Sequence, residues 1–381
     1  MSIYRALFAG LLTIFAGEGA LAAPQVSSAD YGVTTEGKAV HVYTLTNSHG
    51  VSARILDYGG IIAQLNAPDR HGKVKNVVLG LADLKGYETT GALNSLIGRY
   101  ANRIKGGFTI DGHHYNLPAN AKGITLHSGQ PFYGAMIWEG QVVREADRAG
   151  VTLSHVSPDG EQGFPGEMHI EVTYTLNEAN DLRLDYESTT DKPTVVTLTN
   201  HVYFNLAGNG SGDVYGQKLQ VMADQYTPTD ADLVPTGELA SVAGTALDFR
   251  QLTPIGARIR SNEQLMLHAR GYDHNFVLRK PAGDSLPLAV RMYDPASGRL
   301  LEVRTTEPGV QVYSANHMDG AVVSAAGTTI RQGDGLALET EHFPDSPNKP
   351  GFPSTLLRPG ETLRSTTVFH VTTDAVTRVA R

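Results

Sequence analysis

The 381-residue chain contains no cysteine and a single tryptophan. Without thiols it can form neither disulfides nor thiolate zinc sites, so its stability has to come from burial, which suits a large core. No Lys/Arg cluster stands out, and 31 basic against 39 acidic residues leave a formal charge of −8. A phosphate-rich partner such as nucleic acid is therefore not expected, because such binding draws on concentrated positive charge. Polysaccharide-binding surfaces usually rely on several exposed aromatic platforms, and Trp138 alone is poor material for one, although 16 tyrosines could substitute. Helical periodicity is scarce, with short candidates only near 82–89 and 253–261. Beyond the N-terminus there is no long apolar run that could span a bilayer.

What the N-terminus does have is the layout of a secretory signal. Arg5 precedes an apolar segment from Ala6 to Ala16, and small residues Ala20, Ala22 and Ala23 come before Pro24. This pattern predicts cleavage after Ala22, leaving a periplasmic or secreted protein with no stable membrane association.

After residue 23 the text is strand-like almost throughout. Short β-rich runs such as KAVHVYTLTN, MHIEVTYTLN and DLRLDYEST alternate with DG, NG and GG turns, and the chain holds 41 glycines and 19 prolines. Many strands without intervening helices imply a sandwich or barrel, not βαβ units. No linker or internal repeat interrupts the pattern. The expectation is an all-β chain, one large antiparallel β-sandwich domain over residues 23–381.

One strand-like stretch, TLTNHVYFNLAG (197–208), sorts its residues by alternation. Val196, Leu198, Val202, Phe204 and Leu206 share an apolar face, interrupted by Asn200; Thr197, Thr199, His201, Tyr203 and Asn205 share a polar one. From the strand pattern alone His201 could be a histidine held by local hydrogen bonds at a strand edge.

The motifs occur in a recognisable order. GRYANRIKGGFTIDGHHYNL (98–117) is followed by TLHSG (125–129), TNHVYFNLAG (199–208), YDHNFVL (272–278), LEVRTTEPGVQVYSAN (301–316), ALETEHFPD (337–345) and STLLRPGE (354–361). In this series the chain resembles the aldose 1-epimerases, or galactose mutarotases, over essentially its whole mature length. The resemblance implies a supersandwich of antiparallel sheets with an open cleft for free aldoses, a monomer or weak homodimer, and anomer interconversion with no metal and no organic cofactor. It places the general acid on His201 and the general base on Glu339. It also assigns Asn102, Arg103, His127, Asp273 and Gln311 to the sugar hydroxyls. Two departures are visible: Ser128 stands where the family usually has glycine, and Glu341-His342-Phe343-Pro344-Asp345 replaces an aromatic-containing segment, which could alter the preferred sugar.

The chemistry suits those residue types. Opening a hemiacetal needs a base at the C1 hydroxyl and an acid at the ring oxygen, acting together. A carboxylate with an ordinary pKa of about 4.3 and an imidazole near 6.5 start in opposite, useful states. To carry its proton at neutral pH, His201 would need a raised pKa, which a nearby carboxylate would supply. Glu341 shares a strand face with Glu339, and sequence alone does not decide which is the base. Tyr203 and Asn205 are candidates to orient the imidazole. No His/Asp/Glu group has the metal-ligand spacing of an HExxH motif, and the Gly208–Gly212 segment lacks the lysine of a phosphate loop. The competing readings are a glycoside hydrolase using Glu339 with Asp273, and a noncatalytic sugar-binding protein on the same fold.

Overall fold

The computed structural model describes residues 23–374 apart from residue 92; the signal-like segment 1–22 lies outside the described residues. The fold is an antiparallel β-sandwich built on three sheets. A five-stranded N-terminal sheet runs in chain order from Gln25–Val33 to Val74–Asn76. A nine-stranded sheet begins with the meander Glu139–Arg144, Arg148–Ser157, Met168–Asn177 and Asp181–Thr190. It continues through the C-terminal strand Leu363–Thr373 into Arg299–Thr305 and Leu288–Tyr293. A six-stranded sheet has the order Tyr203–Phe204, Leu336–Glu341, Gly309–Tyr313, Asp273–Leu278, Ala223–Tyr226, Ala240–Ser241.

The meander follows from sequence. MHIEVTYTLN places Met168, Ile170, Val172, Tyr174 and Leu176, and DLRLDYESTT places Leu182, Leu184 and Tyr186, at alternate positions, and these side chains are buried. Leu182, Leu184, Val303 and Phe369 of the nine-stranded sheet meet Phe276, Val310, Val312, Leu336 and Leu338 of the six-stranded one in a single apolar cluster. Leu45, Ile55 and Leu65 of the N-terminal sheet join it. Thr340 continues the inward row of its strand, and its hydroxyl bonds that of Thr367 at 2.6 Å across the sandwich.

In the six-stranded sheet, the residues between those core positions form a second row that is also largely buried. Register brings Asn275, Gln311 and Glu339 side by side, and in the next row Asp273, Tyr313, Ala337 and Tyr203. This face is covered by the chain between the first two sheets, including the segment that carries Asn102 and Arg103.

Among the described residues, helix is confined to short pieces. The 82–89 candidate is a helix, Leu84–Thr90, capped by Asp83, whose Oδ1 accepts from the Gly86 N–H at 3.0 Å. The 253–261 candidate is not: Thr253–Pro254 pairs at a sheet edge and leads into a 3-10 turn, Ile255–Ala257. A helix of six residues, Gln264–Ala269, lies just beyond it.

Leu301 is fully buried in the shared cluster, well away from the polar face. Leu301→Ala is expected to lower stability by about 2–5 kcal/mol in urea unfolding, while activity per folded molecule is unchanged.

Candidate active site

The stretch around His201 is not one regular strand. Thr199–Asn200 pairs with Leu96–Ile97, whereas Tyr203–Phe204 pairs with Leu336 and Ala337 of the six-stranded sheet. His201 sits at the point where the chain leaves one partner for the other. Its N–H donates to Ser95 O at 2.9 Å and its C=O accepts from Asn94 N–H at 3.1 Å. Asn94 also receives the Tyr203 N–H on its Oδ1, at 2.9 Å. The apolar face is as expected from alternation, with Val196, Leu198, Val202, Phe204 and Leu206 in the core. The opposite face is equally buried.

His201 and Glu339 face each other there, Nε2 to Oε1 at 3.5 Å. They line one cavity of about 160 Å³ together with Asn102, Arg103, His127 and Asp273. Leu126, Tyr203, Tyr313 and His317 complete the lining. Drug-sized ligands usually occupy roughly 300–1,000 Å³, so this cavity suits a molecule as small as a monosaccharide. A wider groove of about 340 Å³ on the outer face of the nine-stranded sheet is lined by side chains such as Asp181 and His370, which are paired with each other.

Gln311 is not part of that lining. Its Nε2 donates to Asp273 Oδ1 at 2.6 Å, while Arg103 Nη2 donates to Asp273 Oδ2 at 2.9 Å. Burial alone would raise the Asp273 pKa, but the Arg103 guanidinium and the Gln311 amide outweigh it and hold the pKa below its ordinary value. Asp273 is thus a fixed carboxylate. Tyr203 does orient the imidazole, with its ring stacked on His201 at 4.8 Å between centroids. Asn205 does not: its amide bonds Gly212 O and Asp334 O, which ties down a loop elsewhere.

Asn102 and His127 lock one another. The Asn102 N–H donates to His127 Nδ1 at 3.1 Å, and the His127 N–H donates to Asn102 O at 2.8 Å. Both residues have left-handed backbones, φ 63° and 51°, a conformation uncommon for residues other than glycine and tolerated best by Asn, Asp and His. Because Nδ1 accepts, the hydrogen of the neutral ring sits on Nε2, which makes His127 a donor toward a ligand. Burial, then His201 and Arg103, push its pKa well down and keep the ring neutral.

The spacing of these residues along the chain gave no sign of a metal site, yet the ligating atoms of His127, His201 and Glu339 lie within 4.8 Å of one another. The Asn102–His127 bond counts against coordination. A cation would have to displace the hydrogen from His127 Nε2, whereas ligating histidines ordinarily use their second nitrogen as the donor.

The proton balance differs from the expectation of a raised histidine. Burial pushes His201 down to about 4, outweighing a backbone hydrogen bond and the attraction of Asp273. Burial also raises Glu339 well above its ordinary range, with Glu341 and Asp273 adding to the effect. In the resting protein the proton they share belongs on Glu339.

The sequence model of the family described as aldose 1-epimerase matches residues 41–370. The chain belongs to the aldose 1-epimerase family. Among its family relatives, the galactose mutarotase of Rattus norvegicus is 42% identical over 335 residues, covering 87% of this chain and 94% of that protein. The aldose 1-epimerase of Escherichia coli K12 is 37% identical over 338 residues, covering 88% and 96%. In structure, the galactose 1-epimerase of Lactobacillus acidophilus NCFM superposes with a TM-score of 0.80 at 26% identity, covering 92% of this chain and 99% of that one. The family fold is therefore shared over 92% of this chain.

Glu341 gives a direct check on the electrostatics of this family member. Burial raises its pKa to about 8, against the lowering effect of Asn102 and Arg103, whereas an unfolded glutamate titrates near about 4.3. A folded pKa above the unfolded one adds stability at low pH that is lost as pH rises through the window from about 4.3 to about 8. Urea unfolding across that window is expected to show wild-type stability falling with pH relative to that of Glu341→Gln, the difference between the two being the Glu341 contribution.

Proposed function

We propose that this protein interconverts the α and β anomers of free aldohexoses such as glucose and galactose, with Glu339 as base and His201 as acid. The observation that carries the reading is the facing pair, 3.5 Å apart in a buried cavity. Family membership and the names of the relatives support it.

Relative to the resting pair, the working tautomer moves one proton from Glu339 to His201 and changes no net charge. A bound sugar favours that move. Its C1 hydroxyl donates to the Glu339 carboxylate, which lines the cavity, and its ring oxygen accepts from His201. Each bond stabilises the charged form it meets. The nearby Arg103 guanidinium also favours the carboxylate. Glu339 then takes the C1 hydroxyl proton, C1=O forms, the bond from C1 to the ring oxygen breaks, and that oxygen takes the His201 proton. The proton now rests on Glu339 and the imidazole is neutral, which is the arrangement the empty cavity prefers. Rotation about C1–C2 and closure along the reverse path give the other anomer.

Asp273, Arg103, Asn102 and His127 supply an acceptor and donors for the remaining hydroxyls, with Gln311 holding Asp273 in place. A hydrolase would pair a protonated Glu339 as acid with an ionised Asp273 as the second carboxylate. Here both Asp273 oxygens are already engaged by Arg103 and Gln311, and release of reducing sugar from a disaccharide is the result that separates the two readings. We also infer export of the mature chain, on the strength of the N-terminal pattern.

Polarimetry of freshly dissolved α-D-glucose and α-D-galactose is expected to show accelerated decay with wild-type protein and no release of reducing sugar from disaccharides. His201→Ala and Glu339→Gln should each lose ~10²–10⁴-fold in kcat; near-wild-type turnover in either would remove its assigned role. Mass spectrometry of the protein recovered from the expressing host's periplasm or medium should give an N-terminus at Ala23.

A further inference from the structure

Glu341 is fully buried, lies two residues beyond Glu339 on the same strand face, and does not line the cavity. Its Oε1 accepts from Asn102 Nδ2 at 2.8 Å, and its Oε2 has no partner. The bond to Asn102 starts a chain of contacts that ends at the substrate-facing carboxylate. With Nδ2 committed to Glu341, the Asn102 Oδ1 is left to accept from Arg103 Nη1, at 2.8 Å. Arg103 Nη2 in turn meets Asp273, which Gln311 braces from the other side. If the Asn102 amide were reversed, its NH2 would face the guanidinium, donor against donor. Glu341 supplies the acceptor that forbids this.

The surroundings also fix its charge. From its own strand Glu341 faces Glu339, and His342 follows it. From the segment before the neighbouring strand comes Glu307, which is engaged with His342 Nδ1 at 2.6 Å. Asp273 approaches from the next strand, and Arg103 with Asn102 from the covering loop. One guanidinium thus serves Asp273 directly and two buried glutamates at longer range. An unpaired oxygen in such a place is costly when ionised and tolerable when the group is neutral.

We propose that Glu341 is a positioning residue, uncharged in the working enzyme, that aims Asn102 and through it Arg103, and whose loss of a proton sets the alkaline limit of turnover. This rests on Glu339 and His201 being the reacting pair. In the active state Glu341 and His201 each hold a proton, and losing either one ends activity. Two routes of loss give a lower apparent limit than one. The amide introduced by Glu341→Gln would keep an oxygen for Asn102 and cannot ionise.

The test is mutarotation kinetics of the full-length mature chain from pH 5 to 10, with thermal unfolding as a check on folding. Glu341→Gln is expected to keep KM within about twofold and to move the alkaline limb up by on the order of half a pH unit or more. Glu341→Leu removes the acceptor, so its KM should rise about tenfold or more, with the same upward shift of the limb. A wild-type limb in Glu341→Gln, or a wild-type KM in Glu341→Leu, overturns the proposal. Loss of ~10²-fold or more in Glu341→Gln at every pH also overturns it, by making Glu341 itself the base. Should neither variant fold, infrared difference spectra of Glu339→Gln decide: a buried carboxylic-acid band present at pH 6 and gone by pH 10 supports the proposal, and its absence overturns it. Activity retained in Glu339→Gln would instead sink the assignment of the base, a separate result.

Discussion

Three carboxyl groups, Asp273, Glu339 and Glu341, are buried on one face of the six-stranded sheet with a single guanidinium among them. An ionised group taken out of water is costly unless it is paired and hydrogen-bonded, and one Arg103 cannot pair with three carboxylates. The charge is therefore sorted. Asp273, in direct contact with Arg103 and braced by Gln311, keeps its charge. Glu339 is driven toward the neutral form by burial, Glu341 and Asp273, and Glu341 by burial, Glu307 and Asp273. In the proposed reaction the Glu339 proton is the one that moves, and the bound sugar decides where it sits.

That arrangement depends on a sandwich whose inner sheet is buried on both faces. Leu336 and Leu338 anchor the strand in the apolar cluster while Glu339 and Glu341 point the other way, so the same alternation fixes the stability of the core and the placement of the acids. His201 arrives by a different route. It lies between two strand pairings, where no regular ladder constrains it, and its backbone is held by Ser95 and Asn94. The Tyr203 ring stacked on the imidazole removes its remaining freedom. A rigid sheet edge and a chain crossing thus bring together residues 138 positions apart in sequence, as residue numbers 201 and 339 show.

Asn102 and His127 show how much local backbone the site requires. Their left-handed conformations and reciprocal bonds set the imidazole tautomer and the direction of the neighbouring Arg103. Isolated residues of this kind cost free energy and persist where the surrounding structure holds them. Here that support comes from the Glu341 acceptor and from Ser128, whose Oγ accepts from Tyr100 N–H at 2.6 Å.

Period-two alternation and turn residues in the sequence were enough to specify the strands of the meander, the apolar face from Val196 to Leu206 and the all-β class, because a strand's side-chain period is local geometry. The ordered motifs were enough to pick out residues that the fold brings to one cavity, Glu339 and His201 among them. Other features depended on neighbours distant in the chain. The split of the 197–208 run between two sheets, the diversion of Asn205 to a loop, and the retreat of Gln311 behind Asp273 were decided by pairing partners contributed from elsewhere. The low histidine pKa was decided in the same way. A carboxylate near His201 was foreseeable, but the loss of water that outweighs it exists only once three layers of chain have closed over the ring.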